Sequence, residues 1–217
     1  MDILELIKER HSVRQYLEKE IESNKRDILE ASVKECNNDS GLNIQLIFDD
    51  PKCFNSLLAK ITRFKGCNNY IAIVGKKDDP KLEEKAGYFG EKIVLKAQEL
   101  GLNTCWVGAT HGKVKATIQK NEKLVIIIAL GYGATQGVVR KSKKLADVSK
   151  TIDNLPEWYI RGVEAALLAP TALNQQKFTF TLNDGVVKVT AGKGSYSLVD
   201  LGIVKYHFEV SSGHKTE

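Results

Sequence analysis

Seven consecutive apolar residues, Leu124 to Leu130, constrain this chain more than any other segment. A run this continuous fits a strand covered on both faces. It is far too short to cross a bilayer. Such a strand demands neighbours on either edge and helices above and below. The clearest helix lies upstream, from Pro80 to Leu100, where Ala86, Phe89, Ile93, Ala97 and Leu100 fall three or four apart. Gly101 stands where a left-handed cap belongs. Thr104 to Val107 reads as a further strand.

The rest of the chain alternates the two periods. Asp2 caps a first helix with Ile3, Leu6 and Ile7 on one face, ending near Glu9 or Arg10. A second helix is predicted over Lys25 to Cys36, with Ile28, Leu29, Ser32, Val33 and Cys36 facing inward. The polar stretch Asn37 to Gly41 reads as a loop before a strand from Asn43 to Phe48. Asp50-Pro51 opens a helix toward Phe64, and Tyr70 to Val74 is a strand. Pro156 starts a helix that Ala169-Pro170 ends. Asn183-Asp184-Gly185 joins Lys177–Leu182 to Val186–Thr190 as a hairpin, and Leu198 to Val210 closes the chain as a helix. The pattern predicts an α+β fold, a central mixed β-sheet flanked by helices.

Composition narrows the class. Of 217 residues, 42% are hydrophobic and 27% charged, which excludes disordered, collagen-like and coiled-coil chains. The net charge of +5 is modest, and no aromatic residues are interleaved with the basic cluster Arg140-Lys141-Ser142-Lys143-Lys144 to stack bases. Neither a nucleic-acid nor a membrane partner is expected. The N-terminus, Met1 to Glu5, carries acids where a signal peptide needs a basic stretch, so a cytoplasmic protein is expected. Cys36, Cys53, Cys67 and Cys105 make no C-x-x-C pair, and His111, His207 and His214 form no metal set. Small buried hydrophobes or surface thiols are the expected roles of the cysteines.

Ser40-Gly41-Leu42-Asn43-Ile44-Gln45 is echoed by Thr171-Ala172-Leu173-Asn174-Gln175-Gln176, and Gly90–Val94 by Val199–Lys205. The echo reads either as a diverged duplication or as chance likeness of helix-loop-strand units. On the first reading, 1–150 is a first half and 151–217 a partial second half.

Three segments carry candidate chemistry. In Arg10-His11-Ser12-Val13-Arg14, two guanidinium groups flank a hydroxyl and an imidazole, offering fork-shaped donors to a phosphate. The loop Ala169-Pro170-Thr171-Ala172-Leu173-Asn174-Gln175-Gln176 supplies a hydroxyl and amides able to read the edge of a flat heterocycle. The segment Gly87 to Gly108 has glycines that allow close backbone approach.

Together these resemble the FMN-dependent nitroreductase family, in its phosphate motif, its Ala-Pro-Ser-x-x-Asn-x-Gln loop, its central helix with Trp106-Val107-Gly108, and the strand end Ala129-Leu130-Gly131-Tyr132-Gly133. In the usual order the Ala-Pro-Ser loop follows the arginine motif by a few dozen residues. Here it comes near the C-terminus, which resembles a divergent branch with two half-copies in one chain. Lys177-Phe178 also replaces the usual Pro-Trp.

The resemblance implies that Arg10, Ser12 and Arg14, with His11, hold the FMN phosphate. Arg140 or Lys141 is a further candidate there, by position alone. It implies that Pro170, Thr171, Asn174 and Gln176 line the isoalloxazine and ribityl chain, and that Gly108 or Ala109 offers a backbone N–H near N5. It implies ping-pong hydride transfer from NADH or NADPH to a nitroaromatic, quinone or similar small-molecule acceptor, with no catalytic acid or base from the protein. The chain would act as a monomeric pseudo-dimer or a homodimer. A rival expectation is a protein that binds or sequesters flavin without turnover; another is a remnant fold without cofactor.

Overall fold

The computed structural model describes residues 2–55, 61–150 and 153–217. Contacts group them into two compact units, neither of them one continuous stretch. The first takes in Met1–Glu9, Glu83–Lys92 and Arg140–Glu217; the second takes in Arg10–Leu82 and Ile93–Val139. The sequence suggested a division at 150/151. The contacts instead group residues 140–150 with the C-terminal elements, together with the first helix and part of the longest run of helical periodicity.

The second unit is built on a four-stranded sheet in the order β1-β2-β4-β3, from β1 (Asn43–Ile47), β2 (Asn69–Lys76), β3 (Asn103–Val107) and β4 (Glu122–Gly131). Every named pair is antiparallel. The expected mixed sheet keeps parallel pairing only in isolated bridges, Ser12 to Thr104 and Gln15 to Lys65. The apolar run of β4 lies between β2 and β3, and Ile127 to Leu130 are wholly buried. Val13, Tyr16, Phe54, Phe64, Cys67, Tyr70 and Cys105 belong to the core on this sheet.

Helix α2 (Ser23–Ser40) runs longer than predicted and takes in the expected loop Asn37–Ser40. The reason is local. Gly41, at φ 71°, donates its N–H to Asn37 O, and the Asn37 amide pairs with both backbone groups of Ile44 at 2.7 and 2.9 Å. Polar residues that signal a loop here finish a helix and dock it on β1. Leu29, Ser32, Val33 and Cys36 face inward as predicted, but Ile28 is exposed, because the buried stripe follows 29, 33, 36 and 40. After Asp50 a 3-10 turn spans Pro51–Phe54. The remainder of the helix predicted toward Phe64 falls partly on 56–60, outside the described residues.

Helix α3 (Leu82–Glu99) ends as the periodicity predicts, with Gly101 left-handed at φ 74°. Its residues 83–92 belong to the first unit, whose other described elements are α1 (Ile3–Glu9), α4 (Leu145–Val148), α5 (Glu157–Leu167), the hairpin β5 (Phe178–Asn183) and β6 (Val186–Ala191), and α6 (Ser197–Ser212). The hairpin turns at Asp184 and Gly185, both left-handed, as the Asn-Asp-Gly signal requires. Its inner face meets α5 and α6 through aromatic rings: Tyr159, Phe180 and Phe208 lie 5.1 to 6.4 Å apart.

Within this unit α3 and α6 touch backbone to backbone. A Cβ on Gly87 would lie 1.9 Å from Val199 O, and one on Gly202 would lie 2.0 Å from Glu84 O. Only glycine permits such an approach. Beside the crossing, Lys205 Nζ meets Glu84 at 2.7 Å and Tyr88 donates to Glu209 at 2.9 Å. The wholly buried His207 bonds Glu91 Oε1 through Nε2 at 2.9 Å and Ala165 O through Nδ1 at 3.1 Å.

Candidate functional site

In the second unit the arginine motif lies beyond α1, as an extended segment laid along β3. Val13 donates to Thr104 O at 3.0 Å, Tyr16 to Lys65 O at 2.8 Å, and Lys65 N back to Arg14 O at 3.0 Å. Val13 and Tyr16 enter the core and act as its pegs. Arg10 is only 2% exposed, whereas Arg14 reaches solvent. Arg10, Ser12 and Arg14 all act on Cys105 of β3 and so lie near one another.

Electrostatics shows the same convergence. Burial pushes the Cys105 thiol up, while Arg14, a Ser12 hydrogen bond and Arg10 pull it back. Burial likewise raises the Tyr16 phenol well above its usual value, with Cys67 and Cys105 adding and Arg14 opposing. The turn after β4 closes on the same segment. Asn103 Oδ1 accepts from Gly133 N–H at 2.9 Å, and a Cβ on Gly137 would stand 2.7 Å from His11 Cβ. Two guanidinium groups and a hydroxyl gathered beside Cys105 offer a cradle for an oxyanion.

Gly108 and Ala109 follow β3 at the start of a long loop. That loop is tied to the core: Gly112 donates to Cys53 O at 2.7 Å, and Lys115 N–H to the Tyr70 hydroxyl at 2.9 Å. Tyr70 donates in turn to buried Asp50 at 2.8 Å. Burial pushes the neighbouring Cys53 thiol up to about 12. A polar cleft of 270 Å³ in this unit is lined by Tyr16, Lys19, Asp49, Gly66, Asn68 and Gly131, among others, and by none of the predicted site residues.

In the first unit Pro170 ends the turn after α5, and residues 171–176 form a strained loop. Leu173, Asn174 and Gln176 have φ of 51°, 52° and 44°. Non-glycine residues in this region cost of order 1 kcal/mol or more each. Gln175 N–H closes a reverse turn on Ala172 O at 3.0 Å, and Leu173 at its tip is 98% exposed.

Hydrogen bonds hold this shape from three sides. The Thr171 hydroxyl accepts from Gln176 N–H at 3.1 Å, and Asn174 Nδ2 donates to Lys141 O at 2.8 Å. The Gln176 amide is buried: its oxygen accepts from Lys143 N–H, and its nitrogen donates to Ser142 Oγ and Leu167 O. Arg140 donates to Ala169 O at 2.7 Å, so its guanidinium braces the start of the loop.

On the opposite side the Asp200 carboxylate, in the first turn of α6, accepts from Ala172 N–H at 2.9 Å and from Gln175 Nε2 at 2.7 Å. Burial pushes this carboxyl up to about 6, against those two hydrogen bonds.

Arg10, Ser12 and Arg14 thus come together in one unit, and Pro170, Thr171, Asn174 and Gln176 in the other. Sequence reasoning missed Gln175 and Asp200. Gln175 sat beside the singled-out amides, but Asp200 gave no signal, since a helix's first turn commonly carries an acid.

A family model described as "Putative TM nitroreductase" matches residues 2–212. The chain belongs to this nitroreductase family. The crystal structure of a "putative nitroreductase" from Thermotoga maritima MSB8 shares 25% identity with this family member, at a TM-score of 0.67, over 97% of this chain and 83% of that one. Two others show the nitroreductase fold alone. A "Putative NADH dehydrogenase/NAD(P)H nitroreductase" of Bacteroides thetaiotaomicron has 21% identity and a TM-score of 0.53, over 67% of this chain and 95% of its own. A "putative nitroreductase in complex with fmn" from Desulfovibrio desulfuricans has 20% and 0.53, over 67% and 93%. No curated protein matches the chain. The α+β fold with an antiparallel sheet is that of the family, and membership supports an oxidoreductase role. No helix among the described residues is long and apolar enough to cross a membrane.

Proposed function

We propose that this nitroreductase-family chain is an FMN-dependent oxidoreductase that uses NADH or NADPH to reduce a nitroaromatic, quinone or similar electron-poor small molecule. The observation that carries the reading is the convergence of Arg10, Ser12 and Arg14 beside Cys105, on a segment pegged to β3 and packed closely against the turn at Gly137. That donor set fits a phosphate dianion. When bound, FMN supplies the hydride relay between donor and acceptor.

The chain's part is binding and orientation. Arg10 and Arg14 neutralise the phosphate, the Ser12 hydroxyl donates to it, and His11 stands beside them. Gly108 and Ala109 offer backbone N–H groups to the flavin ring. Pro170, Thr171 and Asn174 contact the ring and ribityl chain, and Gln176 holds that loop in shape through its buried amide. Four buried free cysteines suit a reducing compartment, which supports a cytoplasmic location.

The test is an absorbance spectrum after FMN loading and desalting, repeated anaerobically with NADH or NADPH. Retained flavin that bleaches supports the reading. Retained flavin that does not bleach makes the protein a flavin binder without turnover, and no retained flavin ends the proposal. Arg14→Ala should weaken FMN by about 1.5–3 kcal/mol, the worth of a charge-assisted hydrogen bond. Both segments lie on the one chain, and light scattering with flavin stoichiometry separates a monomeric pseudo-dimer from a homodimer.

A further inference from the structure

The loop from Pro170 to Gln176 adopts a backbone its sequence does not favour. Leu173 and Asn174 are both left-handed, and neither is glycine. A turn of this kind relaxes unless groups outside it hold its donors. Two such groups come from one side chain. One oxygen of Asp200 takes the Ala172 N–H and the other takes the Gln175 amide. Asp200 is 4% exposed, and its backbone is fixed by its own N–H on Tyr196 O at 2.9 Å.

The Gln175 side chain packs directly on the bare backbone of Gly194 as it reaches the carboxylate. A Cβ there would stand 2.3 Å from Gln175 Oε1. Gln175 Nε2 also donates to Ser195 O at 2.9 Å, so the amide is oriented before it meets Asp200. The opposite flank of the loop is held independently by Gln176 on residues 142, 143 and 167. With both flanks pinned, Thr171 and Asn174 stand in one fixed arrangement.

We infer that Asp200 is the positioning residue that presets the Thr171–Asn174 turn for the flavin ring and ribityl chain, acting through Ala172 and Gln175 without touching the ligand. This rests on the FMN reading above.

The test compares FMN with riboflavin, which lacks the phosphate, on wild type, Asp200→Asn, Gln175→Leu and Arg14→Ala. Asp200→Asn sets an amide donor against two donors. It should weaken FMN and riboflavin by the same factor, about tenfold (one hydrogen-bond pair's worth), whereas Arg14→Ala should weaken FMN alone. General loss of structure would show as a lowered melting temperature, which Asp200→Asn should not have.

Amide exchange in flavin-free protein gives an independent readout: the Ala172 N–H should exchange faster in Asp200→Asn, with the rest of α6 unchanged. Gln175→Leu, milder for folding, should shift both flavins in the same direction. Wild-type binding with unchanged flavin affinities in both variants overturns the inference and leaves the FMN reading intact. A wild type that binds neither flavin overturns both.

Discussion

Replacing Gly202 by alanine tests the α3–α6 crossing against an opposing local effect. In an isolated helix the change should stabilise by about 1 kcal/mol, because glycine is the poorer helix former. Here the new methyl would stand 2.0 Å from Glu84 O and 2.6 Å from Tyr88 N, both backbone atoms. Carbon and oxygen need roughly 3 Å or more, so the helices must part by about 1 Å. His207 to Glu91 and Tyr88 to Glu209 are each 2.9 Å, and a parting of that size takes them beyond hydrogen-bonding reach.

Breaking a buried ionisable pair costs about 3–5 kcal/mol, and overpacking alone about 1–3. Partial relaxation and the helix gain leave a net loss of about 2–4 kcal/mol. For a chain this long that lowers the melting temperature by roughly 5–15 °C. Urea titration of Gly202→Ala against wild type reads the free energy directly. A variant as stable as wild type, or more so, would refute the backbone contact.

Four further outcomes follow from the packing of the two units taken singly. His207→Phe leaves Glu91 without its imidazole and should cost about 3–5 kcal/mol in urea; adding Glu91→Leu should recover much of it, and failure to recover would deny the pairing. Asp200 binds a proton more readily folded, at about 6, than its ordinary 3.8. Its burial penalty is therefore absent below pH 4 and complete above pH 6. Wild type should lose up to ~3 kcal/mol relative to Asp200→Asn between pH 4 and 7, and parallel stability curves would contradict this. All four cysteines are buried and free, so a thiol reagent at pH 8 should label none within minutes in native protein and four in guanidinium; early labelling would count against the packing. Gly194→Ala should push the Gln175 amide off Asp200 and speed exchange at Ala172, with no change expected at Thr104.

The elements were legible where one local rule governs a segment. The 3.6 period with Gly101 behind it fixed the end of α3, and Asn-Asp-Gly fixed the hairpin. Leu124 to Leu130 announced a strand with neighbours on both edges, which β4 has. Legibility failed where a polar side chain replaced a backbone partner. Asn37 reads as loop-former, yet its amide mimics a strand edge for Ile44 and lets α2 run on to Ser40. The two echoed pairs differ in backbone: Asn43 and Gln45 stand in a regular strand whereas Leu173 and Asn174 are left-handed, while Gly90–Val94 and Val199–Lys205 are both helical.

For the candidate site, residue types were readable and their supports were not. Arg10, Ser12 and Arg14 could be picked out through the resemblance to the family's phosphate motif, but their pegs Val13 and Tyr16 look like ordinary core residues. Arg140, a phosphate candidate by position alone, donates to the Ala169 carbonyl, a contact no local pattern announces. Asp200 lies far along the chain from the loop it shapes, and no local pattern pairs them.

The membership of α1 in the first unit has a consequence for synthesis. Its buried residues Leu6 and Ile7 belong to a unit whose helix α6 packs against α1, and α6 lies at the far end of the described chain. At ribosomal rates of about 5–20 residues per second, the apolar face of α1 waits on the order of ten to forty seconds for α6. During that interval the apolar face of α1 is a natural substrate for a chaperone, and the second unit, whose strands are all made before α6, can form its sheet first.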